Sequence, residues 1–366
     1  MASRITAIYR VQSQAASIED RALGLAIEQS VEAPPAAIDD PRILSDIVGE
    51  VQGIEALGNG EFQVRIGLAA ATIGEDAGQL LNMLFGNSSL QDDITLFDLE
   101  IPPSLAVSFG GPRHGLPGLR QRAGAAGRAL TCSALKPQGL SAARLADIAE
   151  RFALGGIDFV KDDHGLADQG YSPFAERVCA CSAAVRKAAS VTGHPTHYVP
   201  NLSGSLDDMR NHIRIAREAG VDTVMIAPMI AGLATLQALV RENPDLAFFA
   251  HPAMAGSGQI APELLIGKIF PLLGADGVIF PHQGGRFGYS AERCRRIADN
   301  ARFPANGFLP SAPVPAGGIT LERVGDILDF YGSDTMLLIG GSLLAARERL
   351  TEATAAFIRT VLEHRK

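Results

Sequence analysis

The sequence predicts an α/β protein, with a C-terminal (β/α)8 TIM barrel preceded by a small α+β domain. Three observations lead there. From Ala129 onward, short apolar runs ending in polar or glycine residues alternate with stretches of helical spacing. The runs are continuously apolar, as parallel strands buried on both faces are. They number eight, the count that closes a barrel.

Residues 1–125 read as the α+β domain, of ferredoxin-like type. "SRITAIYRVQ", "FQVRIGLAA" and "ITLFDLEIP" alternate in polarity and predict strands, and "GEDAGQLLNMLFG" between them predicts a helix. The glycine-rich, basic segment "GGPRHGLPGLRQRAGAAGR" (110–128) joins this domain to the barrel, assigned to 126–366. The barrel runs are "ALTCSALKP" (129–137), "GIDFVKDD" (156–163), "HYVPNLSG" (197–204), "VDTVMIAP" (221–228), "LAFFAHPA" (246–253), "GVIFPHQ" (277–283), "PSAPVPAGG" (310–318) and "DTMLLIGG" (334–341). Between them, "SAARLADIAERFAL" (141–154) sets Leu145, Ile148 and Phe152 on one helical face. "SLDDMRNHIRIAREAG" (205–220) opens with a serine cap and first-turn acids and closes with glycine. An open doubly wound sheet is the competing arrangement, but no glycine fingerprint follows the first strand.

The 366 residues are 47% hydrophobic and 20% charged, enough for a sizeable core. A net charge of −8 argues against nucleic-acid and anionic-membrane surfaces. No apolar run approaches the roughly 18 residues of a membrane span. The opening "MASRITAIYRVQSQ" lacks the apolar centre of a signal peptide, so the expected location is the cytoplasm. Cys132, Cys179, Cys181 and Cys294 match no zinc or redox spacing and read as reduced thiols.

Catalytic side chains of such barrels gather at the C-terminal ends of the strands. In "GGIDFVKDDHG" (155–165) the second run ends in Lys161, Asp162, Asp163 and His164. The first ends in Lys136, the third near Asn201, the fifth in His251 and the sixth in His282. Taken singly, each also fits a solvated lysine or a capping aspartate. Gly317–Gly318 and Gly340–Gly341 follow the last two strands and precede helix starts at Thr320 and Ser342. Glycine pairs there expose backbone N–H groups at a positive helix end, which suits phosphate.

"LKPQGLS", "GGIDFVKDDHG", "GGPRHG", and "PVPAGGI" before "LLIGG" together resemble the large-subunit family of ribulose-bisphosphate carboxylase, in its branch of RuBisCO-like proteins, in register from about Glu28 to Gly341. The resemblance implies that Lys161 is carbamylated by CO2 and that the carbamate, Asp163 and His164 hold Mg2+. It implies an acid–base role for Lys136, and catalytic roles for His251 and for Asn87 in "LFGNSS". Gly317, Gly318, Gly340 and Gly341 match the phosphate loops; Arg286, His282 and Glu28 complete the expected substrate contacts. Because Asn87 and Glu28 would serve a neighbouring subunit's site, the resemblance implies a homodimer with shared sites.

Departures from the family pattern shape the expected function. Gln138 stands for the second lysine of the family's KPK, His164 for a glutamate, Pro252 and Ala255 for an arginine and a histidine, and Ala316 for a serine. The loop "PHQGGRFGYSAER" carries Arg286 but no lysine to position CO2, so carboxylation of ribulose bisphosphate is not expected. A substrate with one phosphate and an apolar far end, near Pro252, Met254 and Ala255, is. Mg2+ prefers oxygen ligands and histidine suits other divalent metals, so Mg2+, another metal and no metal all stay open. The expected activity is enediolate chemistry on a phosphorylated keto-sugar, as an isomerase of the 5-methylthioribulose 1-phosphate type. The alternatives are a decarboxylase or transcarboxylase–hydrolase of a 3-oxo sugar-acid phosphate (3-oxo-isoapionate 4-phosphate type), or a non-catalytic sugar-phosphate-binding protein.

Overall fold

The computed structural model describes residues 3–302, 304 and 307–364, which form two compact units. One unit comprises the chain up to Gly111 together with Met254–Leu265. Its four-stranded antiparallel sheet runs β2-β3-β1-β4, with β1 Arg4–Gln12, β2 Glu50–Gly58, β3 Glu61–Ala69 and β4 Ile94–Glu100. β1, β3 and β4 are the three anticipated strands, each with one buried face. β2 was not anticipated, and the reason is physical. It is exposed or half-buried along its whole length, so no apolar alternation marks it. Its hairpin to β3 turns on Asn59 and Gly60, with φ of 52° and 75°, the two positive angles that a tight primed turn requires. The helix Ile18–Glu28 buries Ile18, Ala22, Leu25 and Ala26. The segment 254–265 adds to β4: Leu96 N–H donates to the Gln259 carbonyl and Ala261 N–H to the Leu96 carbonyl, both at 2.9 Å.

The other unit comprises Pro112–Ala253 and the chain from Ile266 onward. Its eight parallel strands are β5 Leu130–Leu135, β6 Phe159–Asp162, β7 His197–Val199, β8 Thr223–Ile226, β9 Ala247–Ala250, β10 Gly277–Pro281, β11 Ala312–Ala316 and β12 Met336–Leu338. They pair in the order β7-β6-β5-β12-β11-β10-β9-β8. A parallel bridge between Asn201 and Met225 closes the ring, with Leu202 N–H on the Met225 carbonyl at 2.7 Å. The structure is thus the expected (β/α)8 barrel. The segment preceding β5 carries a helix, Gly115–Ala123.

Leu130, Cys132, Phe159, Val199, Met225, Phe249, Ile279, Val314, Met336 and Leu338 pack into one buried cluster, with contributions from every barrel strand. The Phe159 and Phe249 rings meet at 5.5 Å and 56°. A barrel filled this way has no pore, so its chemistry is confined to the rim beyond the last layer. Strand side chains repeat with period two. Lys161 therefore follows Phe159 on the inner face, His251 follows Phe249, and Lys136 follows Ala134.

The N-terminal end is closed by buried charge. Asp158 takes both Arg128 nitrogens at 2.7 Å, and Thr131 N–H and O–H at 2.8 and 2.9 Å. Asp276 accepts His114, Gly115 and Phe248 N–H at 2.8, 2.6 and 2.9 Å, so it caps the helix Gly115–Ala123. His197 Nδ1 lies 3.0 Å from Asp222, and its Nε2 lies 3.0 Å from the Arg122 carbonyl. Among the described residues, no helix is long and apolar enough to cross a membrane.

Burial alone would lower the His197 pKa, but the Asp222 carboxylate outweighs it and the imidazole is raised; Asp222 is lowered in turn. The stabilisation from the raised histidine is complete below its unfolded value and lost as pH rises through its folded value. That from the lowered aspartate is lost as pH falls through its own folded value. His197→Gln is therefore expected to cost most stability in mildly acidic solution. In thermal melts, its Tm deficit should shrink as pH rises into the alkaline range.

Candidate active site at the C-terminal rim of the barrel

The end of β6 sorts three ionisable groups by the strand period. Lys161 and Asp163 point to the barrel interior, and Asp162 points to the opposite face. Lys161 is 3% exposed, and its Nζ donates to the Asp162 carbonyl at 2.7 Å. Desolvation drives its pKa down, and Lys136 adds to that, against the pull of Asp163 and Asp162. Lys161 is thereby biased toward the neutral amine.

Asp163 is the hub. Lys136 Nζ lies 3.0 Å from its Oδ1 and His164 Nδ1 lies 3.5 Å from the same oxygen. Gln138 Nε2 and Gly165 N–H approach Oδ2 at 3.4 Å each. Burial would raise this carboxyl, but His164 and Lys136, aided by Lys161, hold it well below the usual carboxylate range. The His164 ring stacks on His251, with centroids 4.2 Å apart and planes within 8°. Burial, reinforced by Lys161 and His164, pushes His251 down to about 2, so its imidazole stays neutral. Ala253 N–H donates to its Nδ1 at 3.2 Å, which assigns the ring proton to Nε2. Lys136, Lys161, Asp163, His164 and His251 are thus one cluster.

On the outer face of β6, Asp162 Oδ1 accepts Tyr198 O–H at 2.7 Å, and Oδ2 accepts Arg177 Nε at 3.0 Å and Asn201 N–H at 3.1 Å. Arg177 and Tyr198 were not anticipated. A signal existed for the first: Arg177 shares the buried face of the helix Phe174–Thr192 with Phe174, Val178, Cys181 and Val185. An arginine on an apolar face needs a buried partner.

At the seventh strand, Gly317 and Gly318 adopt φ of 89° and 99°, and a Cβ on Gly317 would sit 3.0 Å from the Phe287 ring. The loop after β10 is tied there. Arg286 N–H donates to the Gly317 carbonyl at 3.3 Å, and Arg323 Nη1 donates to the Gly284 carbonyl at 3.1 Å. The exposed Arg286 guanidinium lies 4.7 Å over Phe287. At the eighth strand, a Cβ on Gly340 or Gly341 would meet nothing within 4 Å, so that backbone faces open space. His282 stands apart. It is fully buried, its imidazole is lowered by burial, and a Cβ on Gly285 would press within 2.9 Å of its ring. In the N-terminal unit, Asn87 Nδ2 donates to Glu28 at 2.9 Å and to Glu32 at 3.1 Å.

The donor set fits a divalent cation on one condition. Among the described residues, no three histidine, cysteine, aspartate or glutamate side chains are placed to hold a metal. A neutral amine adds CO2, whereas an ammonium has no lone pair to do so. A carbamate on Lys161 would supply the oxygens that Asp163 and His164 lack as a pair. The imidazole nitrogen in that set shifts preference from Mg2+ toward metals such as Mn2+ or Zn2+.

Residues 115–288 match the family model of the ribulose bisphosphate carboxylase large chain, catalytic domain. The chain is 58% identical to a 5-methylthioribulose-1-phosphate isomerase of Rhodospirillum rubrum, over 99% of this chain and 97% of that one. It is 34% identical to a 2,3-diketo-5-methylthiopentyl-1-phosphate enolase of Geobacillus kaustophilus, over 89% and 83%. The crystal structure of a Rubisco-like protein from Rhodopseudomonas palustris superposes with a TM-score of 0.94 at 51% identity, covering 100% of this chain and 99% of that one.

Metal retention should depend on CO2. Elemental analysis of protein dialysed against Mn2+ or Mg2+ is expected to find the metal retained with bicarbonate and lost without it. Lys161→Met should retain none under either condition. Equal retention with and without bicarbonate would rule out the carbamate.

Proposed function

The chain belongs to the ribulose bisphosphate carboxylase large-chain family, and from that premise we propose that it is an isomerase moving a proton on 5-methylthioribulose 1-phosphate through an enediolate. The observation that carries the reading is the cluster in which Lys136 meets Asp163 at 3.0 Å, beside the buried Lys161 and a neutral His251. An isomerase of this kind needs a group to carry a proton between carbons and a donor for the oxygen that becomes negative. It needs nothing to hold a second substrate. The loop Gln283–Ser290 carries no lysine, which accords with isomerisation rather than carboxylation.

In this proposal Lys136 Nζ carries the proton. Asp163 holds that amine in place, and a neutral imidazole at His251 offers its Nε2 proton to the developing oxyanion. Being neutral, His251 can donate without protonating the oxygen outright. Lys161, Asp163 and His164 are the residues that would hold a divalent cation. When bound, that cation would polarise the substrate carbonyl. The phosphate is assigned to the backbone of Gly317–Gly318 and Gly340–Gly341, with Arg286 supplying the opposing charge. One phosphate suffices: the names of both relatives describe five-carbon chains with phosphate at one end and methylthio at the other. At the end of the fifth strand, Pro252 offers no cation to a second phosphate. His282 is assigned a substrate-side role only through the loop it supports. The same proposal includes a cytoplasmic homodimer in which Asn87 and Glu28 complete the partner subunit's site.

The test is turnover. The purified protein should convert 5-methylthioribulose 1-phosphate to an isomer of unchanged mass, and should form no carboxylated product from ribulose bisphosphate and CO2. Lys136→Met is expected to lower kcat by about 10²–10⁴-fold, the usual contribution of a positioned acid–base group. A Lys136→Met enzyme with wild-type kcat would remove Lys136 from the chemistry. A wild-type enzyme that releases CO2 from a 3-oxo acid phosphate, and does not isomerise, would favour the decarboxylase.

A further inference from the structure

We propose that Arg177 is a positioning residue which, acting through Asp162, fixes the turn that carries Lys161, Asp163 and His164. Arg177 and Asp162 are both fully buried. A buried ion pair is a poor source of net stability, because desolvation of the two charges consumes most of their attraction. What the pair supplies here is direction. The segment from Asp163 to Pro173 lies in neither helix nor strand, so its carbonyls lack regular partners. Arg177 Nη1 takes the Ser172 carbonyl at 2.6 Å, and Nη2 takes the Ala167 carbonyl at 2.8 Å. Asn201 Nδ2 takes the carbonyls of His164 at 3.1 Å and Leu166 at 2.8 Å, while Asn201 N–H holds Asp162 at 3.1 Å. Tyr198 O–H holds the other Asp162 oxygen at 2.7 Å. Arg177 and Asn201 side-chain nitrogens therefore pin four carbonyls along one loop, and three donors hold the Asp162 carboxylate that precedes it.

The consequence reaches the inner face through a single peptide. Lys161 Nζ has the Asp162 carbonyl as its acceptor at 2.7 Å. Rotation of that peptide would move the acceptor, and with it the amine. Asp162 resists the rotation because both its oxygens are held from behind. Asp163, one residue on, inherits the same constraint. Arg177 touches none of the reacting groups, so its effect is on their placement. Lysine in its place would keep the charge but lose the planar fork that reaches Asp162, Ala167 and Ser172 together.

Two variants test this: Arg177→Lys, which loses the fork, and Tyr198→Phe, which loses one hydrogen bond and strands no charge. Each is compared with wild type by steady-state kinetics, by Tm, and by hydrogen exchange of peptides covering 162–172. The kinetic arm rests on the isomerase reading, and the exchange arm does not. The expected result for Arg177→Lys is a kcat lower by about 10- to 100-fold with little change in KM, the signature of misplaced catalytic groups. Exchange in 162–172 should rise while the remainder of the barrel stays protected. Tyr198→Phe should show both effects more weakly. A lower Tm with wild-type kcat and wild-type exchange in 162–172 would overturn the proposal and leave Arg177 a structural residue. If wild-type protein turns over no 5-methylthioribulose 1-phosphate, the isomerase reading fails by itself and exchange in 162–172 decides the positioning role. If Arg177→Lys does not fold, Tyr198→Phe decides.

Discussion

Lys161 is almost wholly buried, and its amine has the Asp162 carbonyl as acceptor where an ammonium would want a full shell. Burial strips the solvation that would stabilise an ammonium, so the charged form is disfavoured. Much at the rim follows from that. A neutral amine can add CO2 or accept a proton, and a charged one can only donate one. Asp163 lies close enough to be held as a carboxylate by Lys136 and His164, so the cluster keeps a negative centre beside a buried amine. His251, stacked on His164, is kept neutral chiefly by burial. The site thus holds a carboxylate, a neutral imidazole and an amine whose charged form burial disfavours, within a few side chains of one another.

The barrel makes that burial affordable. Its interior is filled by Phe159, Phe249, Met225 and their neighbours up to the layer beneath the rim. A lysine on that layer has an apolar floor. The strand period then decides which neighbours face inward, and at β6 it separates the two aspartates. Asp163 joins the rim cluster with Lys136 and His164, and Asp162 joins a buried network with Arg177, Tyr198 and Asn201. One dipeptide therefore serves both the rim cluster and its support. The opposite end of the barrel holds Asp158 and Asp276, each saturated by several donors and turned toward closing the fold.

Much of this was legible in the residue order because it depends on local periodicity. Continuous apolar runs marked the eight barrel strands, and the polar residues that end them marked the rim; that Lys161 and Asp163 act together came from the resemblance. β2 was hidden because a strand exposed on both faces has no pattern to display. Arg177 was hidden for a different reason. Its partner lies 15 residues away on another element, and only the fold shows that the two meet. The seating of the loop after β10 against Gly317 was likewise not legible, since it rests on Arg323 and on backbone groups whose partners sequence does not name. Asn87 and Glu28 were each matched to the family by resemblance alone; the hydrogen bond between them was not legible in the residue order.

In the proposed reaction the rim generates an enediolate and returns its proton. Incubation with 5-methylthioribulose 1-phosphate in D2O, followed by mass spectrometry of product and recovered substrate, tests it most directly. The account predicts carbon-bound deuterium in the isomerised product, with no CO2 consumed or released. Isomerised product and recovered substrate both free of solvent deuterium at every extent of conversion would contradict it.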